Sequence, residues 1–189
     1  MDRPRDGHHG RPWRIAAWAT ATLLLLAPLV AMQFTDDVNW SVGDFVFAAV
    51  LLFGTLGIYE LAARKTGSTA YRAGVGLALA GGFLLVWING AVGITDSDAD
   101  VLFFLLVPAV AIVGALVVRF RPRGMALVMF TTALSVALIA VIALIAGVVP
   151  AFNSAFEVLG ITGFFVVLFV GSALLFRQAA HGQTDGGVA

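Results

Sequence analysis

Apolar residues fall into six long blocks along the chain, separated by short polar turns. The blocks cover residues 13–33, 44–63, 71–94, 101–118, 124–149 and 157–176. Each is eighteen residues or longer, about the length of helix needed to cross a hydrocarbon core roughly 30 Å thick. The second block sets the layout for two others. In DFVFAAVLLFGTLGIYELAARK, Asp44 comes first, fifteen uncharged residues follow, and Glu60, Arg64 and Lys65 close the stretch. Asp100 to Arg121 and Glu157 to Arg177 also begin with an acid and end on a base, and Gly57, Gly114 and Gly171 stand 57 residues apart. An acid at a helix N-terminus suits the helix dipole. The repeat divides the spans into three helical hairpins, each with an interfacial acid, a packing glycine and basic anchors.

Local signals refine the elements. Pro28 should loosen the last turns of span one. Pro108 predicts a kink in span four near the membrane middle. Pro122 is expected to end span four, and Pro150 to stop span five. The turn over residues 66–70 is short and polar, which makes spans two and three antiparallel neighbours. Gly74, Ala78 and Gly82 lie four apart on span three, and Ala133, Ala137 and Ala140 repeat on span five. Such small-residue stripes let membrane helices approach closely. Span five is long enough to require tilt or a protruding end. Trp40, in the first loop, suits the headgroup level. Span one, with its basic leader, resembles a signal peptide. Its run is long and it lacks a small-x-small cleavage site, so it reads as a retained anchor. Residues 1–12 and 178–189 read as loose polar tails.

Composition agrees with the pattern. Sixty per cent of residues are hydrophobic, 12 per cent are charged and the mean hydropathy is +0.99, outside the range of soluble globular domains. The absence of cysteine excludes disulfides, thiolate catalysis and thiolate metal sites. The formal net charge of zero conceals a separation by side. All eleven Lys and Arg residues fall in the N-terminal segment, Arg64 to Arg72, Arg119 to Arg123, and Arg177. With six spans, all four clusters share the side of the N-terminus, and the positive-inside rule puts that side in the cytoplasm. Only Asp2, Asp6, Glu60 and Asp185 accompany them there, while the other seven acids lie opposite.

Candidate chemistry is sparse. Glu60 stands four residues before Arg64, the favourable order for a helical ion pair. An intramembrane acid is also a functional-site hypothesis, although Glu60 is close enough to the helix end to snorkel. Asn89, beside Trp87, must find hydrogen-bond partners, for which a neighbouring helix is the usual source. Thr131, Thr132 and Ser135 can bond carbonyls one turn back. Asp96, Asp98 and Asp100 open like a calcium loop, but Val101 and Val107 replace the glycine and the bidentate glutamate that such a loop needs. With Asp36 and Asp37 they form a solvated acidic surface or a weak cation-screening one. The histidines, His8, His9 and His181, all fall in the tails, so no span carries a haem or metal histidine. No P-loop, dinucleotide fingerprint or nucleophile–base set is legible, and nucleic-acid binding has no support beyond the basic side.

Three stretches carry a resemblance: FTDDVNWSVGDF (residues 34–45), AYRAGVGLALAGGFLLVWIN (70–89) and RFRPRGMA (119–126). Over residues 34–147 the chain resembles a group of small inner-membrane proteins of proteobacteria with no assigned activity. The acidic loop at 95–100 departs from that group. The resemblance implies a bacterial inner-membrane location and brings no functional residues with it.

The expectation is an all-α polytopic membrane bundle of six transmembrane helices in three hairpins, with both termini cytoplasmic. It is a non-enzymatic, cofactor-free protein, structural or accessory to a membrane complex. Its partners are the lipid bilayer and either another membrane protein or a second copy of itself. The alternative is a small transporter or channel subunit with a path near Glu60 or Asn89.

Overall fold

A computed structural model describes residues 10–91, 105–147 and 155–185. Among the described residues the chain is helical without strands. The helices are α1 (Gly10–Ala31), α2 (Val42–Lys65), α3 (Thr69–Ala91), α4 (Val107–Val117), α5 (Pro122–Ala146) and α6 (Ala155–Asp185). All but α4 are long and apolar enough to cross a membrane. The chain divides into two compact units, Met1–Leu61 and Ala62–Ala189.

In the first unit, α1 and most of α2 meet through long side chains. Trp18 stacks on Phe53 with ring centroids 5.7 Å apart, and Arg14 reaches Glu60. The later partner on α1 meets the earlier one on α2, so the two helices lie antiparallel. Pro28 stands in the last turn of α1, and tighter turn bonds follow it, such as Gln33 N–H to the Val30 carbonyl at 3.0 Å. The start of α2 is a reciprocal cap. Ser41 donates its backbone N–H (2.7 Å) and its hydroxyl (2.8 Å) to the Asp44 carboxylate, and Asp44 N–H returns a 3.3 Å bond to Ser41 Oγ. Such a box satisfies N–H groups that the first turn leaves open.

The second unit is built on α6, which packs along α5 and along α3, while α4 packs on α5. The buried residues of α6 include Val158, Thr162, Phe165, Phe169, Ser172, Phe176 and Ala179, at alternating steps of four and three. On α5, Ala126, Met129, Ala133, Val136, Ala140 and Ala143 are buried at alternating steps of three and four. A mean step of 3.5 keeps a seam against its partner only if the helices wrap left-handedly, at crossing angles of about +20°. Ala179 and Ala180 continue the seam, so α6 runs on to Asp185 where a loose tail was expected after span six.

The small-residue stripe of α3 is displaced from the expected one. An ideal Cβ on Gly81 would stand 3.2 Å from the Phe169 ring, and one on Gly74 would stand 3.4 Å from Leu175 Cβ, whereas Gly82 faces open space. The contact face therefore steps by seven residues from Gly74 to Gly81, as a 3.5-residue seam requires, and a step of four from Ala78 leaves it. The three glycines spaced 57 apart also differ. A Cβ on Gly57 would meet nothing within 4 Å, one on Gly171 would meet only Leu77 Cδ2 at 3.1 Å, and one on Gly114 would press on Val128 Cγ1 at 2.8 Å.

Helix ends supply further corrections. Pro108 lies in the first turn of α4, after π-type bonding at Leu105 and Leu106. Leu106 before it is itself helical (φ −70°, ψ −45°), so Pro108 stands at the edge of the described part of span four, where the expected kink would fall. Residues 92–104, which include the rest of span four, lie outside the described residues. Pro122 is the first residue of α5 and starts that helix, with Arg121 extended before it (ψ 137°), as a residue preceding proline prefers. Gly147 ends α5 in the left-handed region (φ 67°), with its N–H directed to the Ala143 and Leu144 carbonyls. That is three residues ahead of Pro150, and glycine enters this conformation at no steric cost.

Candidate functional site

Three polar groups meet at one end of the first unit. Glu60 stands in the last turns of α2 and Arg14 in the first turns of α1, and antiparallel packing brings them level. Arg14 donates from Nε to Glu60 Oε1 (2.6 Å) and from Nη2 to Oε2 (2.8 Å), and Trp18 Nε1 donates to Oε1 at 3.1 Å. A forked guanidinium–carboxylate pair is among the more directional polar contacts available. The pair is partly wet, with side chains 48% and 18% exposed, in keeping with a position near the helix ends. Helical spacing named Arg64 as the partner of Glu60. The structure adds Arg14, 46 positions upstream, which no helical spacing could name.

Asn89 is the second candidate. Its Nδ2 donates to the Leu85 carbonyl one turn back at 2.7 Å, within its own helix where a neighbouring one was expected. Its Oδ1 is buried and has no hydrogen-bond partner among the described residues. Trp87 stacks on Phe83 at 5.9 Å. Asp96, Asp98, Asp100, His8 and His9 lie outside the described residues. Among the described residues no group of three or more histidines and carboxylates is placed to hold a metal. His181 is part of α6, with Nδ1 2.8 Å from the Arg177 carbonyl.

The hydroxyls of the second unit serve its packing. Thr132, fully buried, donates back to the Val128 carbonyl at 2.8 Å. Thr131 donates to the carbonyls of Leu127 and Val128 (3.2 and 2.8 Å), and Ser135 donates to that of Thr131 (2.9 Å), each as their positions predict. Ser172, also fully buried, instead crosses between helices and donates to the Gly74 carbonyl at 2.8 Å. Its signal was present in the sequence as Gly171-Ser172, since a small residue beside a hydroxyl lets a neighbouring carbonyl come within reach.

The basic residues of this unit gather at one end. Tyr71 opens α3, donates its hydroxyl to the Phe120 carbonyl at 2.8 Å, and sets its ring edge against Phe176 at 5.1 Å. Arg72 donates Nε and Nη2 to the Ala63 carbonyl at 3.2 and 2.9 Å, closing the C-terminus of α2 as a basic side chain can. The turn between α4 and α5 holds two non-glycine residues in the left-handed region, Arg119 (φ 53°) and Phe120 (φ 58°). Beside it, Arg119, Arg121, Arg123 and Gly124 line a recess of about 850 Å³. Arg123 also lines an adjoining recess with Arg177 and His181.

No family model, curated protein or solved structure matches this chain.

Proposed function

We propose that this chain is a bacterial inner-membrane protein that crosses the bilayer six times, as three hairpins, with both termini and every basic cluster in the cytoplasm. Its role is that of a non-enzymatic structural or accessory subunit, assembled with another membrane protein or with its own copies.

The observation that carries the membrane reading is the distribution of side chains on α5. Its buried face mixes Ala126, Ala133, Ala140 and Ala143 with Met125, Val128, Met129, Thr132, Val136 and Ile139, while Leu127, Leu134, Leu138, Ile142 and Ile145 face outward. A soluble helix keeps charged and polar residues on the face it turns away from the core. An outward face of leucine and isoleucine is the membrane solution, because lipid removes the hydrophobic penalty for exposure, and the alanines let the neighbouring helices approach closely. The accessory role is supported by how the deepest hydroxyls are used: Thr132 and Ser172 both satisfy backbone carbonyls within a seam otherwise filled by Phe165, Phe176, Val136 and Val158. Polar groups committed to packing are unavailable to a solute.

Purification in a mild detergent followed by native mass spectrometry tests the role. A stoichiometric assembly, with a second protein or a second copy, is expected. A monomer that conducts a solute across reconstituted vesicles would overturn it. Asn89 gives the transporter reading its one specific support, since Oδ1 is a buried acceptor with no partner among the described residues. If a path runs there or at Glu60, Asn89→Leu or Glu60→Gln would abolish vesicle flux.

A further inference from the structure

The basic end of the second unit has the form of a binding site. Arg119, Arg121 and Arg123 line the larger recess, and Arg123, Arg177 and His181 line the adjoining one, with Ala180 common to both. Among the described residues, no acidic side chain lines either recess. Among the described residues, none of these four arginines has a side-chain hydrogen bond or ion pair, in contrast to Arg14 and Arg72. Four guanidiniums gathered with no counter-charge among the described residues repel one another, and an anion would relieve that repulsion. The N-terminus of α5 adds to the field. Its cap residue Arg121 makes no side-chain cap bond, and Arg123 and Gly124 of its first turn line the larger recess, where a helix N-terminus favours an anion.

The rim identifies the anion. Leu116 and Val117 at the end of α4 and Leu127 at the start of α5 are apolar and well exposed, Val117 at 75%. A free anion has no use for such a rim, whereas a lipid brings acyl chains to cover it. We infer that the paired recesses bind the phosphodiester headgroup of an anionic phospholipid, with its chains against Leu116, Val117 and Leu127. Because the recesses share Arg123, a lipid with two phosphates can place one in each and is favoured over a lipid with one. The inference rests on the membrane reading, which fails separately if the chain dissolves without detergent.

Native mass spectrometry of the full chain in detergent tests this, with titrated cardiolipin, phosphatidylglycerol, phosphatidylcholine and inorganic phosphate. Cardiolipin is expected to bind first, then phosphatidylglycerol, with phosphatidylcholine far weaker. R121Q/R123Q should lose about thirtyfold in cardiolipin affinity, taking roughly a fivefold loss for each cation removed. Arg64→Gln, which removes one positive charge elsewhere, should leave it unchanged. If the double variant does not fold, Arg177→Gln, at the rim of the smaller recess, should still lose several-fold. Equal retention of phosphatidylcholine, unaltered cardiolipin binding by the variants, or displacement of the lipid by millimolar inorganic phosphate would each overturn the inference.

Discussion

Gly57, Gly114 and Gly171 hold matching places in three similar stretches, yet alanine should affect them differently. In a helix interior, Gly→Ala gains roughly 0.5–1 kcal/mol from backbone entropy and propensity. At Gly57 the new Cβ meets nothing within 4 Å, so that gain should appear whole. At Gly171 it meets only the tip of Leu77, at 3.1 Å, which can rotate away, and the change should be near neutral. At Gly114 it would lie 2.8 and 2.9 Å from the two Val128 methyls and 3.4 Å from their Cβ. Valine has one strongly preferred helical rotamer, so the methyls cannot swing aside and α4 must move off α5. Overpacking of this kind costs about 1–3 kcal/mol, which outweighs the propensity gain. Unfolding of the three variants in mixed micelles, followed by circular dichroism, should rank Gly57→Ala most stable and Gly114→Ala least. Val128→Ala added to Gly114→Ala should restore much of the loss, while the same addition to Gly57→Ala should not help. Equal stability of Gly114→Ala and Gly57→Ala, or no rescue by Val128→Ala, would refute the reasoning.

Other substitutions probe single contacts. Ser172→Ala removes the α6-to-α3 hydrogen bond and should cost about 0.5–2 kcal/mol in the same unfolding assay, whereas Ser135→Ala should be within error. Tyr71→Phe leaves the Phe120 carbonyl without its donor and should cost about 1 kcal/mol, with faster proteolysis at the turn of Arg119 and Phe120. Glu60→Gln and Arg14→Gln should each lower the thermal midpoint, and the exchanged pair R14E/E60R should recover it, because the contact is reciprocal; a swap no better than either single change would show that the pair contributes nothing.

The helices were legible because lipid imposes a simple rule: an apolar run of sufficient length must satisfy its backbone internally, and a helix does so. The place of Asp44 at the start of α2 and the back-bonding of Thr131, Thr132 and Ser135 were legible as well, since both depend on local spacing, whereas the part of Ser41 in the cap was not read. What escaped the sequence depends on rotation about the helix axis. Nearly every position on α5 is apolar, so composition cannot show which face is turned inward, and the seam could be read only from burial. For the same reason the stripe on α3 was placed on Gly82 when the contact residue is Gly81. Contacts between distant positions, such as Arg14 with Glu60 or Tyr71 with the Phe120 carbonyl, have no local signature. Pro122 misled, because it reads as an interruption but stands in the first turn of α5, where proline is welcome.

The proposed topology places all the basic turns in one compartment. The chain has no cysteine of its own, so single cysteines can report sidedness without background. G67C and F120C test the basic turns, and N39C and S97C test the acidic ones, with a membrane-impermeant maleimide applied to intact spheroplasts and then to lysed ones. The account predicts that N39C and S97C are labelled in intact spheroplasts, and that G67C and F120C are labelled only after lysis. Labelling of F120C from outside, or of G67C and F120C from opposite sides, would contradict it.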